Sequence, residues 1–276
     1  MKKALLFMLI STASFSLMNA FIKYLDHIPG FQLVFFRSIT SFIFATTYLL
    51  SNQINVLGNQ RKLLSLRAIA GLISMSLFFF SFKYLSVGTA VSLRYVAPIF
   101  AAIFAVILLK EKLKPIQWFF FFIAFTGVLI LKGFDSEMSN IGMLLVITAS
   151  VFTGIVYILI RKIGKADHPV VVVNYFMFFS TIVGGIMCLF NWIQPKGLDW
   201  ALLASLGVFG YFGQVFMTKA FQMAETSRVA PIKYTEVIFT ICIGVFWFGD
   251  TYTLWSFIGL FLIVGALIAN NFVKKE

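Results

Sequence analysis

Acid is scarce in this chain. Its 276 residues include ten Asp and Glu, two His and two Cys, and charged residues of both signs make up only 12%. A soluble domain normally carries about a quarter charged residues, so a fold of this length wrapped in water is excluded. Cys188 and Cys242 lie far apart inside apolar runs, which excludes a metal-ligand spacing; they read as small core-filling residues. His27 and His168 stand just before Pro29 and Pro169 and read as turn residues, with no candidate nucleophile near either. Catalytic residues, a metal and a cofactor are therefore not expected.

Apolar residues are abundant instead: 61% of positions are hydrophobic and 35 are Phe. The net charge of +12 does not imply a nucleic-acid partner. The basic residues fall in short clusters between apolar runs rather than along one face with aromatic platforms. The expected partner is the lipid bilayer, and the expected class is an all-α integral membrane protein.

A helix needs about 20 apolar residues to cross a hydrocarbon core of about 30 Å. Ten such segments are predicted, at about 4–25, 31–50, 65–84, 88–109, 115–133, 141–161, 169–193, 200–220, 227–248 and 253–273. Turn and charge signals separate them, among them His27–Gly30, Lys110–Lys112 and Gln194–Gly197. Lys2-Lys3 followed by an apolar run could mimic a cleaved signal peptide, but the run continues to Leu25 and is read as a retained helix. With ten spans, fifteen basic residues fall on one side, Arg67, Lys110, Lys112 and Lys219 among them. Four (Lys23, Lys83, Lys132, Lys196) fall on the other. Basic residues mark the cytoplasmic side, so both termini are expected there, in a multi-pass protein of the cytoplasmic (inner) membrane.

Sliding the chain against itself by 139 residues aligns Arg94 with Lys233, Tyr95 with Tyr234, Ile99 with Ile238, Phe100 with Phe239 and Glu111 with Asp250. The chain then reads as one membrane domain, 1–276, with repeats of about 1–135 and 136–276. Five helices per repeat force the second copy to enter the membrane inverted, an arrangement recurrent in secondary transporters with a midplane site.

Three basic residues, Arg37, Arg94 and Lys233, remain inside spans, each roughly 10 Å deep at 1.5 Å per residue. Burying a charge there costs about 2.5–3.5 kcal/mol or more. One reading is a cationic cavity for a carboxylate or phosphate; the other is hydrogen bonding to helix-end carbonyls. Glu236 lies one turn beyond Lys233 on the same helix face. It either meets a cationic substrate group and exchanges a proton, or forms an internal pair with Lys233. Tyr95, Tyr157, Tyr234 and Asn19 are polar groups deep in spans, fit either to orient a ligand or to bind helices together. Gly207, Gly210 and Gly213 suit close helix packing, or alternatively a gating helix. Pro98 and Pro231 mark helix starts or hinges, and Glu111 and Asp250 read as boundary markers.

Phe31–Arg37 after Pro29, the run Gly88-Thr89-Ala90 through Pro98, Leu108–Leu113 and Ala230–Glu236 together resemble the drug/metabolite transporter superfamily, in its bacterial EamA-type branch of ten-helix carriers. The resemblance implies alternating-access transport of a small polar or zwitterionic metabolite, with a proton as the candidate coupling ion. The Ala-Pro-x-basic-Tyr-x-Glu run is similar to that of carriers described as S-adenosylmethionine uptake proteins; neighbouring branches handle amino acids, vitamins and drugs. The substrate-binding set expected on this basis is Arg94, Lys233, Glu236, Tyr95, Tyr234, Tyr157, Asn19 and Arg37, with Glu236 as proton-coupling residue. The rival classes are a membrane-embedded enzyme acting on a lipid-linked substrate and a non-transporting scaffold subunit.

Overall fold

The computed structural model describes residues 2–81, 83–85, 90, 93–132, 139–249 and 254–273. Asp250, Gly88, Thr89, the repeat boundary near 135, Lys274 and Lys275 lie outside the described residues.

In a bilayer no water satisfies the peptide groups, so a spanning chain closes its own hydrogen bonds as helix. The helices are α1 (Lys2–Tyr24), α2 (Gly30–Ser51), α3 (Arg61–Ser81), α4 (Ala97–Leu109), α5 (Pro115–Lys132), α6 (Asn140–Ile163), α7 (Pro169–Cys188), α8 (Asp199–Met223), the one-turn α9 (Thr226–Val229), α10 (Thr235–Phe248) and α11 (Leu254–Phe272). Among the described residues seven helical runs are long and apolar enough to cross a membrane: α1, α2, α3, Asn140–Ala166, α7, α8 and Thr226–Phe248. The expectation of ten full spans is met to that extent. Ala97–Leu109, Pro115–Ile130 and Phe257–Asn270 are apolar but shorter. The chain is an all-α, multi-pass membrane protein.

Two compact units are formed. The first comprises Met1–Leu72 and Leu159–Met223, the second Ile73–Ile158 and Ala224–Glu276, so α3 and α6 each contribute to both. In the first unit α8 packs on α1 and α2 through the glycines singled out above. Ser11 Oγ donates to the Gly213 carbonyl at 2.7 Å and Ser41 Oγ to the Gly207 carbonyl at 2.7 Å. A Cβ on Gly207 would fall 2.2 Å from Thr40 Cβ, and one on Gly213 would fall 2.8 Å from the Phe15 ring. Packing, not gating, accounts for this stripe, because small residues let helix backbones close on each other. α2 also packs on α7, with Thr46 Oγ1 donating to Asn174 Oδ1 at 2.9 Å.

In the second unit α5 packs on α11, and a Cβ on Gly127 would meet the Gly259 carbonyl at 2.7 Å. Tyr95, Ile99, Phe121, Val128, Tyr234 and Ile263 form its core. Ser74 Oγ of α3 donates to the Ala149 carbonyl of α6 at 2.8 Å.

A shift of five spans exchanges the pair α1·α8 with α3·α6 and returns α2·α7 to itself, a pseudo-symmetric pairing that suggests an inverted repeat. Helix ends carry the same 139-residue relation. Lys110 closes α4 in the left-handed conformation (φ 55°) with its N–H on the Ala105 carbonyl; Gly249 closes α10 the same way (φ 64°), with its N–H on the Gly244 carbonyl. A residue with a Cβ is strained there by about 1–2 kcal/mol. Lys110→Gly is therefore expected to stabilise the protein by about 0.5–1 kcal/mol once the entropy of an unfolded glycine is deducted, read as a higher thermal midpoint in detergent.

Candidate charged site in the second unit

The chain between Thr226 and Phe248 is helical throughout but changes helix type within the run. A single α-turn, α9, leads into a 3₁₀ segment, Ala230–Tyr234, and α10 begins only at Thr235. Pro231 stands in the first turn of the 3₁₀ segment, where its missing N–H and its ring disfavour a regular α-turn. Lys233 near the end of that segment and Glu236 in the first turn of α10 are three residues apart and meet on one face: Nζ donates to Oε2 at 2.5 Å. Both side chains are nearly buried, 12% and 11% exposed. Glu236 also occupies the first turn of α10, where the helix dipole favours negative charge.

The stretch 139 residues earlier shares the basic-Tyr pair. Arg94 and Tyr95 precede α4, and Pro98 sits in its first turn. The Tyr95 and Tyr234 rings, 139 positions apart in sequence, lie 6.2 Å from each other. Both are buried. The Arg94 guanidinium rests 4.4 Å above the Phe78 ring. Tyr95 is within electrostatic reach of Glu236, Arg94 and Tyr157. Six of the eight residues expected from sequence, Arg94, Tyr95, Tyr157, Lys233, Tyr234 and Glu236, thus belong to one unit. Asn19 and Arg37 belong to the other. Arg37 is buried there against α8, where a Cβ on Gly210 would come 3.0 Å from Arg37 Nε.

Three residues carry more than their sequence positions suggested. Arg67 was expected among the loop charges, but it lies inside α3 with 1% exposure. Its Nη2 donates to Gln214 Oε1 at 2.9 Å and its guanidinium lies 4.5 Å over Phe176. Asp167, in a break between spans, is buried, and its carboxylate accepts the N–H groups of Asn59 and Gln60 just before α3. Glu111, expected as a boundary marker, accepts the N–H groups of Thr226 and Ser227 at 2.9 Å each. A helix start leaves four N–H groups without intrahelical partners; Glu111 satisfies two at the start of α9, and Asp167 holds the two residues that lead into α3.

His168 caps α7, its Nδ1 accepting the Val170 N–H at 3.3 Å, while its ring stacks on Tyr48. Burial first, and Lys219 second, lower its imidazole below the ordinary range. A depressed folded value means that protonation favours the unfolded chain: the stabilisation is complete above about pH 6.5 and is lost as pH falls through the lower folded value. The thermal midpoint is expected to drop between pH 7 and 5, and to drop less in His168→Asn, which caps without titrating. An equal drop in both proteins would contradict this role.

The profile of the EamA-like transporter family matches residues 2–132 and 140–272. The chain belongs to that family. The EamA-like chain is 27% identical to human "Solute carrier family 35 member G1", over 95% of its own length and 77% of that protein's. It is 26% identical to the "Pseudopaline exporter CntI" of Pseudomonas aeruginosa (strain UCBPP-PA14), over 100% and 98%. A solved crystal structure superimposes with a TM-score of 0.86 at 18% identity, covering 98% of this chain and 96% of the other, a likeness of fold. Membership makes the chain a secondary-active carrier of small molecules across a membrane, and a transporter rather than an enzyme. Among the described residues no group of His, Cys, Asp and Glu is arranged to hold a metal ion.

Proposed function

We propose that this EamA-like carrier moves a small polar or zwitterionic organic metabolite by alternating access, and that the second unit supplies its charged site. The observation that carries the proposal is the nearly buried Lys233–Glu236 pair at a change of helix type. A 3₁₀ stretch inside an apolar helical run is a departure from regular α-helix within the membrane, and departures of this kind recur at transporter substrate sites. Lys233 and Arg94 suit a substrate anion, Glu236 a cationic group, and Tyr95, Tyr234 and Tyr157 supply aromatic walls with hydroxyls. Both substrate charges then exchange against groups that already have partners, which limits the desolvation cost of binding. We restrict the site to these six residues and assign Arg37 to the packing of α8.

Ten spans, in two inverted repeats of about 1–135 and 136–276 within one membrane domain, accommodate this scheme. The two separate family matches, 2–132 and 140–272, support it. The bias of basic loop residues supports the inner membrane with both termini cytoplasmic. Within the class, S-adenosylmethionine or an amino acid is the specific candidate. One relative is named as a pseudopaline exporter, which supports a small-molecule cargo.

A thermal-shift screen of the solubilised protein against S-adenosylmethionine, amino acids and related zwitterions tests the class. A ligand at 100 times its Kd adds about 2.7 kcal/mol of apparent stability. Shifts from neutral lipophiles alone would overturn the reading. Proton coupling is tested by Glu236→Gln, which should flatten the pH dependence of counterflow; an unchanged profile removes that role.

A further inference from the structure

We propose that Glu111, outside the charged site, is a positioning residue for it: its carboxylate fixes the start of the segment Thr226–Tyr234 and thereby the placement of Lys233 and Glu236. The proposal rests on the site reading above only for its functional meaning. Its geometry stands alone. The left-handed turn at Lys110 ends α4 and directs the next residue away from the helix axis, and the Glu111 N–H is tied back to the Ala105 carbonyl at 3.1 Å. From that anchored position Oε1 accepts the Thr226 N–H and Oε2 the Ser227 N–H, both at 2.9 Å.

The segment it holds is weakly self-supporting. α9 is four residues long and the following five are 3₁₀, a geometry with poorer hydrogen bonds that is used only in short pieces. Short helical pieces of this kind open at lower free energy than long packed helices. This one has a pin at each end, the Glu111 clamp at Thr226 and Ser227 and the Lys233–Glu236 pair where α10 begins. Thr226, Ser227, Val229 and Ala230 are buried, so loosening the first pin shifts a packed strip that ends at Lys233.

Amide hydrogen exchange on the full-length protein in nanodiscs tests this without any ligand. Glu111→Ala should speed exchange on the order of tenfold, the factor expected for losing one ordinary helix cap, in peptides over 226–229 and also over 233–236. Glu111→Gln retains one acceptor oxygen and should fall between. Lys112→Ala, which removes an exposed loop charge, should match wild type, and 140–163 should be unchanged in every variant. Unchanged exchange over 226–236 in Glu111→Ala would overturn the clamp. Acceleration confined to 226–229 would leave a local cap and overturn the positioning role, as would acceleration spread over 140–163. If Glu111→Ala does not accumulate, the same criteria apply to Glu111→Gln. Because exchange is read without flux, this result stands apart from any failure of Lys233 and Glu236 as the substrate site.

Discussion

Lys233→Met should lower the stability of the solubilised protein by about 3 kcal/mol, and Glu236→Leu by a similar amount, whereas the double variant should lie within about 1 kcal/mol of wild type. Breaking a buried ion pair costs about 3–5 kcal/mol because one charge stays in low dielectric without its counter-charge; replacing both partners with apolar residues of similar volume is often neutral. The two side chains here are 12% and 11% exposed, which places the single variants at the lower end. Thermal midpoints of the four proteins give the coupling energy directly. Additive losses in the double variant would mean that the pair does not act as a unit.

Gly58→Ala should cost about 2–4 kcal/mol, far more than a loop methyl group usually does. The backbone at Gly58 has φ +63°, which an L side chain occupies at a cost of about 1–2 kcal/mol. Its Cβ would also fall 2.6 Å from Asp167 Oδ1 and 2.7 Å from Leu64 Cδ1. Since Asp167 accepts the N–H groups of Asn59 and Gln60, displacing it removes the cap before α3, worth about 1–2 kcal/mol more. Gly197 supplies the control. It has φ +47° with nothing within 4 Å of its Cβ position, so Gly197→Ala should show the backbone cost alone. Equal losses in the two variants would contradict the clamp by Asp167.

Much of the architecture was legible because lipid imposes a simple rule: long apolar runs are helices, and polar interruptions are turns. Pro29, Pro115 and Pro169 stand at or just before the starts of α2, α5 and α7, where their missing N–H costs nothing. The Lys233–Glu236 contact followed from spacing, and the Tyr95–Tyr234 contact involves two residues already aligned by the repeat. What escaped has physical reasons. Ala90, Leu93 and Arg94 are helical, and a turn at Tyr95–Val96 comes before α4 at Ala97; hydropathy registers apolar content and is blind to such a turn. Arg67 lies only six residues past Arg61, so its charge was indistinguishable from the basic loop; only Gln214, 147 positions away, and the Phe176 face reveal it as buried. Glu111 and Asp167 have backbone partners 115 and about 108 positions distant, and no local pattern encodes such a cap.

The two pins of the segment Thr226–Tyr234 divide the labour. Glu111 and the Glu236–Lys233 pair bound a stretch that passes from a single α-turn through 3₁₀ into α10, and the Tyr95 and Tyr234 rings lie 6.2 Å apart. The proposed site thus sits where the helix changes from 3₁₀ to α rather than in regular α-helix.

Counterflow of the ligand that gives the largest thermal shift, measured in liposomes containing the Lys233→Met/Glu236→Leu protein, bears on that site most directly. This variant is expected to fold with near wild-type stability, and its flux should fall at least about 100-fold, as when the buried groups meeting a substrate's charges are removed. Wild-type flux through the folded double variant would contradict the assignment and leave the pair a purely structural tie.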